Sequence, residues 1–172
     1  MDPRYAYLNG REFEVAFGLC RWQSDDYMGY DRAMDRVRES QPWLPSSPTT
    51  ELAKRLHESV WLQLNMNRRF RGGVGKNAVG VYTAIGSPLD LFHKADGFVV
   101  ARLVTDESAW LRELVVTFDL TTNPLKIQCN TANLILRPCH FESQPFGCYA
   151  GLMVVDKFLE RITRYRLASR HI

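Results

Sequence analysis

Apolar positions recur at helical spacing early in the chain and alternate in its middle. Over residues 11–22, Phe13, Ala16, Phe17 and Cys20 fall on one face of a helix. Residues 25–40 are charged and predict a second, more exposed helix. The stretch Gln41–Pro48 holds three prolines and two serines and interrupts the pattern. Ser47 then reads as an N-cap with Pro48 at the first helical position. The helix that follows runs to about Met66, with Leu52, Leu56, Val60 and Leu64 as its apolar seam.

The segment Asn67–Asn77 is basic and glycine-rich, with Arg68, Arg69, Arg71 and Lys76, and reads as an exposed loop. Strand-like runs follow at Val79–Ile85, Gly97–Val104, Leu114–Thr121 and Ala132–Leu136. An amphipathic helix from about Tyr149 to Leu167 closes the chain, with Lys157, Arg161, Arg164 and Arg166 on its polar face. Helices, then strands, then a helix predict an α+β fold. Residues 1–66 form its helical N-terminal part. Residues 78–172 form a mainly antiparallel or mixed sheet with the C-terminal helix, all in one domain spanning 1–172.

Composition adds limits. The chain has 172 residues, enough to bury roughly two-thirds of its unfolded surface. Its hydrophobic fraction of 45% and charged fraction of 24% exclude a disordered chain. A net charge of +3 permits a nucleic-acid partner without demanding one. No apolar run approaches the roughly 18 residues of a membrane span. The Met-Asp-Pro-Arg start lacks the apolar core of a signal peptide. The expectation is a cytoplasmic protein whose four cysteines stay reduced. The spacing of Cys129, Cys139, His140 and Cys148 does not match the usual zinc ligand pairs, and buried inert thiols are the simpler reading.

Two motifs fail. Gly73-Val74-Gly75-Lys76 suggests a phosphate loop, but Phe70 stands where the first glycine belongs and Asn77 where a magnesium-binding hydroxyl belongs. Serine-nucleophile chemistry has neither the elbow motif nor a partnered histidine.

The chemistry-bearing pattern lies in the strands. Val116, Phe118 and Leu120 alternate with Thr117, Asp119 and Thr121, so Asp119 projects from the face opposite the core. Val99, Ala101 and Leu103 likewise place Asp96 and Arg102 on the opposite face. An antiparallel hairpin pairing Val104 with Glu113 sets Phe98 across from Asp119, and Asp96 across from Thr121. Asp96 and Asp119 then become diagonal neighbours roughly 7–8 Å apart. A shift of two residues preserves the shared face. Such a carboxylate pair repels itself unless a cation lies between. Magnesium or manganese suits one or two carboxylates plus water and phosphate oxygens. The bland alternative is that both aspartates are polar strand-end residues.

These residues resemble the PD-(D/E)xK phosphodiesterase superfamily, the restriction-endonuclease-like fold. The resemblance rests on His93-Lys94-Ala95-Asp96-Gly97-Phe98-Val99 and Val116-Thr117-Phe118-Asp119-Leu120-Thr121, about thirty residues in mid-chain. It implies that Asp96 and Asp119 bind the divalent ion and that the Leu120 carbonyl is a further ligand. It also implies an acid from a preceding helix, for which Glu58 and Glu14 are candidates. Thr121 stands where that family places its lysine, so Lys126, beyond the Asn123-Pro124 turn, or Lys94 would have to substitute. The segment between Thr122 and Ala132 leaves little room for the family's usual helix.

The leading expectation is a magnesium-dependent nuclease acting on nucleic acid, DNA ahead of RNA, with homodimerisation allowed. Arg68, Arg69, Arg71, Lys94 and the arginines of the last helix would follow the phosphate backbone. The runner-up is a catalytically inactive module of the same fold that binds nucleic acid or a protein. The third is an assembly protein with an incidental acid pair.

Overall fold

The computed structural model describes residues 8–70, 73–105, 108–126, 132–145 and 147–168, with the backbone alone at 104, 105, 108–112, 143 and 165–168. Arg71 and Cys129 lie outside these residues.

Helix α1 spans Gly10–Phe17. Asn9 caps it: its side chain accepts from the Glu12 N–H at 2.9 Å, and Glu12 accepts from the Asn9 N–H at 2.8 Å. The helix ends five residues before the sequence pattern predicts, because Gly18 takes φ 123. A Cβ there would lie 2.5 Å from the Trp43 ring. Helix α2 spans Tyr30–Glu39, starting after Gly29 rather than at residue 25. Helix α3 spans Glu51–Met66, and its N-cap is Thr50 rather than Ser47. Ser47 instead closes a tight turn, donating its N–H to the Leu44 carbonyl. Thr50 donates its hydroxyl to the Phe17 carbonyl, tying α1 to α3. The predicted seam of Leu52, Leu56, Val60 and Leu64 is fully buried.

Two described apolar residues of the segment after α3 are anchored to the core. Phe70 and Val74 are buried, and the Asn65 side chain bonds both the N–H and the carbonyl of Val74. Arg68 and Arg69 remain exposed. A 3-10 turn at Lys76–Ala78 leads into the sheet.

Four strands form a mixed sheet in the order β1-β2-β3-β4: Val79–Thr83, Gly97–Thr105, Ser108–Leu120 and Leu134–Leu136. The first three are antiparallel neighbours, and β4 runs parallel to β3. Phe98 pairs with Thr117 and Arg102 with Glu113, a two-residue shift from the predicted hairpin register. The shift keeps every side chain on its predicted face. Strands β1 and β4 are shorter than predicted. Beyond Thr83 the chain turns into α4 (Pro88–His93), which the pattern misses. The free edge of β1 is covered by residues 41–45. Gln41 bonds the Thr83 N–H and carbonyl, and Pro45 accepts from the Val81 N–H.

A two-stranded ribbon, β5 (Ser143–Gln144) with β6 (Gly147–Cys148), precedes helix α5 (Tyr149–Ala168). Helices plus a four-stranded mixed sheet make the fold α+β, as the element order predicts. Among the described residues no helix is long and apolar enough to cross a membrane.

Helices α1, α3 and α5 pack on one sheet face through Phe17, Leu56, Val154 and Phe158, against Val99, Val116 and Phe118. The other face was expected to stand clear of the core. It is covered instead: Ala33, Met34 and Val37 of α2 and Leu89 of α4 bury Phe98 and Val100. The charged second helix therefore carries an apolar stripe and shields the sheet, where the sequence suggested a more exposed element.

Candidate functional site

The acidic cluster forms where β2 begins and β3 ends. The register Gly97 with Phe118 sets Asp96, one residue before β2, directly across from Asp119. The predicted relation was diagonal; the two-residue shift makes it frontal and closer. Both side chains are buried, with Asp96 4% and Asp119 5% exposed, and Asp96 lies against Asp90 of α4.

Asp96 is held on several sides. Its Oδ2 accepts from the Leu120 N–H at 2.6 Å, and its carbonyl accepts from the Ala84 N–H at 2.8 Å. Its carboxyl also hydrogen-bonds Asp90 on α4. Burial first, and then the charge of Asp90, push the Asp96 pKa up to about 9; Asp119 adds to this and the Leu120 N–H opposes it. Burial and the neighbouring Asp90 carboxyl thus favour the neutral form of Asp96.

Asp90 is the site residue that the sequence reading missed. The signal was present: Ser87-Pro88 is the same serine-proline start that was read at Ser47-Pro48. At 87 it is real. The Ser87 hydroxyl accepts from the Leu89 N–H, and Asp90 Oδ2 accepts from the Gly86 N–H at 2.8 Å. In a capping box an acid at this position accepts from the cap's own N–H; Asp90 reaches one residue further back, to Gly86, while the Ser87 N–H goes to the Ala84 carbonyl.

Lys126 supplies the positive charge. Residues 121–126 fold back in a turn built by Asn123, whose side chain accepts from the Leu125 N–H and whose carbonyl accepts from the Lys126 N–H. The turn brings Lys126 Nζ to 2.5 Å from Asp119 Oδ2. The contact lies outside hydrogen-bond geometry, and Asp119 Oδ2 is buried without a hydrogen-bond donor. Arg137 holds the turn from below, donating to the carbonyls of Pro124 and Lys126, each at 3.0 Å. Thr121, at the position of the resembled family's lysine, is buried, and its hydroxyl accepts from the Asn123 N–H. It shapes the turn that delivers Lys126.

The remaining candidates lie elsewhere. Lys94 donates to the Leu91 carbonyl at the end of α4. Glu14 pairs with Arg11. Glu58 is exposed on α3, beside Arg55 and Gln144. Leu120, whose carbonyl was the expected further ligand, stays at the cluster, where its N–H donates to Asp96 Oδ2. Arg68 and Arg69 are exposed ahead of β1, which starts at Val79. Val79 pairs with Ala101, five residues along β2 from Asp96 and about 16 Å away at strand spacing. Arg161 of α5 does not reach outward as expected for a phosphate contact. It donates to the Val115 carbonyl and to Asn133 Oδ1.

Among the described residues no group of three or more histidine, cysteine, aspartate or glutamate side chains is arranged to hold a metal. The pair Asp96–Asp119 nonetheless fits a hard divalent cation. Its donors are all carboxylate oxygens, one of them buried without a hydrogen bond, and magnesium takes few protein ligands beside water and phosphate. A divalent ion between the two side chains would offset their mutual repulsion and favour the charged form of Asp96. Comparisons with protein-family models, curated proteins and solved structures find no match for this chain.

Proposed function

We propose that the protein is a metal-dependent phosphodiesterase of nuclease type, acting on nucleic acid at the Asp96–Asp119–Lys126 cluster on a restriction-endonuclease-like core. One observation carries this reading: adjacent strands set two buried carboxylates face to face while a lysine from the following turn reaches one of them. Such carboxylates serve to bind a charged centre, and a positioned ammonium serves to stabilise charge that develops on a phosphate. Magnesium or manganese, held by Asp96 and Asp119, would activate water and neutralise the phosphate. Lys126 would orient and hold the non-bridging oxygen, with Arg137 fixing the turn that carries it. The free thiols of Cys20, Cys139 and Cys148 agree with a cytoplasmic setting. DNA is the favoured substrate.

The test is cleavage of plasmid, single-stranded DNA and RNA with magnesium or manganese. Asp119→Asn should lose more than about a hundredfold in rate, and Lys126→Ala about tenfold to a hundredfold. Metal-stimulated cleavage that survives undiminished in Asp119→Asn and Asp96→Asn sinks the assignment.

A second reading has its own support. Asp96 is satisfied internally by Leu120 and Asp90, and Thr121 replaces the expected lysine. A catalytically inactive module of the same fold, binding nucleic acid or protein, accommodates both facts. Salt-sensitive DNA binding without metal or cleavage would favour it.

A further inference from the structure

We infer that the cavity between α3, the β5–β6 ribbon and the first turn of α5 binds a neutral nucleobase-type heterocycle, as a free nucleoside or as a base of a strand. Helices α3 and α5 are locked together at Ser59 and Gly151, where a Cβ on the glycine would lie 2.1 Å from Ser59 Oγ. The Ser59 hydroxyl also donates to the Cys148 carbonyl and accepts from the Cys148 N–H, both at 2.9 Å. Beside this contact lies a cavity of about 560 Å³ whose lining includes Gln63, Cys139, Gln144, Pro145, Tyr149 and Leu152. Its volume suits a small organic ligand.

The lining selects the ligand class. Among its described residues none is charged, so a buried phosphate or ammonium would lose water without a partner. Tyr149 and Leu152 are 52% and 37% exposed and offer an apolar, partly aromatic surface to a flat ring. Gln144, exposed in the lining, carries an amide donor and acceptor, the combination that reads the edge of a base. A second cavity of about 120 Å³ shares Gln144, Gly147 and Cys148 with the first and adds Glu58. Its carboxylate can accept from sugar hydroxyls. Glu58, a metal-ligand candidate by sequence, thus gains a different role. No residue of the acidic cluster lines either cavity, so this inference and the nuclease reading can fail separately.

Cys139 is exposed in the lining and serves as the reporter. Its alkylation by iodoacetamide is followed by peptide mass in the full chain, without metal, with adenosine, guanosine, cytidine, uridine or a short single-stranded oligonucleotide. A ligand at ten times its Kd should slow Cys139 about tenfold and leave the buried Cys20, which lies outside the cavity, unchanged. Protection by a nucleoside identifies the free ligand, and protection by the oligonucleotide alone identifies a strand. Leu152→Arg, at a half-exposed position, should abolish protection with an unchanged circular dichroism spectrum, and Gln144→Leu should weaken it. Unaltered Cys139 reactivity with every probe overturns the inference, and so does full protection of Leu152→Arg.

Discussion

The two faces of the sheet differ in chemistry far more than in exposure. Val116, Phe118 and Leu120 on one face of β3 are at most 4% exposed, and Thr117, Asp119 and Thr121 on the other at most 8%. The first set meets α1, α3 and α5 in a continuous apolar core, where Phe17 lies edge-on to Phe118 at 5.2 Å. On the second face α2 and α4 cover Phe98 and Val100 of β2, and the polar set on β3 is met by Asn133, Lys126 and Asn123. Alternation along a strand therefore decides which side chains share a face. The helices laid over each face decide whether it is wet. A carboxylate covered in this way must be paired, hydrogen-bonded or protonated, and the acidic cluster contains all three solutions.

Truncation on the apolar face should have the largest effect. Phe118→Ala removes a fully buried ring and should cost about 3–5 kcal/mol, read as a lower urea midpoint. A loss below about 1 kcal/mol would mean that this face is not the main core.

The polar face should reveal itself through pH. The Asp96 pKa rises from 3.8 to about 9 on folding. Over that window the folded chain keeps a proton that the unfolded chain releases. The contribution is fully present below the unfolded pKa and is lost as pH rises through the folded one, by up to about 1.4 kcal/mol per pH unit. Asp96→Asn keeps a donor for Asp90 and an acceptor for the Leu120 N–H, and carries no proton to lose. Its stability should stay flatter between about pH 4 and pH 9 and exceed wild type at the alkaline end. Magnesium that engages the acid pair should raise the wild-type curve there and not the variant's. Parallel pH curves for the two proteins would remove Asp96 as the buried acid.

How much of this was legible in the sequence follows the same division. Local alternation sufficed to place Asp96 and Asp119 on one face, and the seam Leu52–Leu64 emerged intact, because period and burial are local properties. The cover over the acids was not legible. It depends on a stripe of Ala33, Met34 and Val37 diluted by charged neighbours, and on a six-residue helix too short for periodicity. Asp90 was lost with that helix, although its Ser87-Pro88 start could have revealed it. Lys126 could be named as a candidate because Asn123-Pro124 signals a turn. The direction of the turn is fixed by Arg137, eleven residues away, which no local pattern connects to it.

Lys126 offers the next smaller effect. Its ammonium compensates a buried carboxylate, but its side chain is 29% exposed, so solvent shares the work. Lys126→Met should cost about 1–2 kcal/mol at neutral pH, below the full penalty for orphaning a buried charge. The loss should shrink in the double variant with Asp119→Asn. Additive losses in that cycle would separate the two residues and remove the lysine from the cluster.

Glu113 should give the smallest effect, and of the opposite sign in pH. It lies on β3, on the same sheet face as Asp119 and across from Arg102 of β2, between Arg38 at 2.6 Å and Arg102 at 3.2 Å. Burial acts to raise its pKa, yet the two guanidinium groups together hold it below the usual value. Its contribution is therefore present above the unfolded pKa and lost as pH falls through the folded one. Its side chain is 33% exposed, which limits Glu113→Gln to a loss below about 1 kcal/mol. That loss should fade in molar salt and in acid, whereas the Asp96 effect grows with pH and resists salt because burial generates it. Denaturation of both variants across pH, at low and high salt, separates a rim ion pair from a buried acid on one strand surface. A Glu113 effect that matched Asp96 in sign and salt response would mean that depth beneath α2 and α4 does not distinguish the two carboxyl groups.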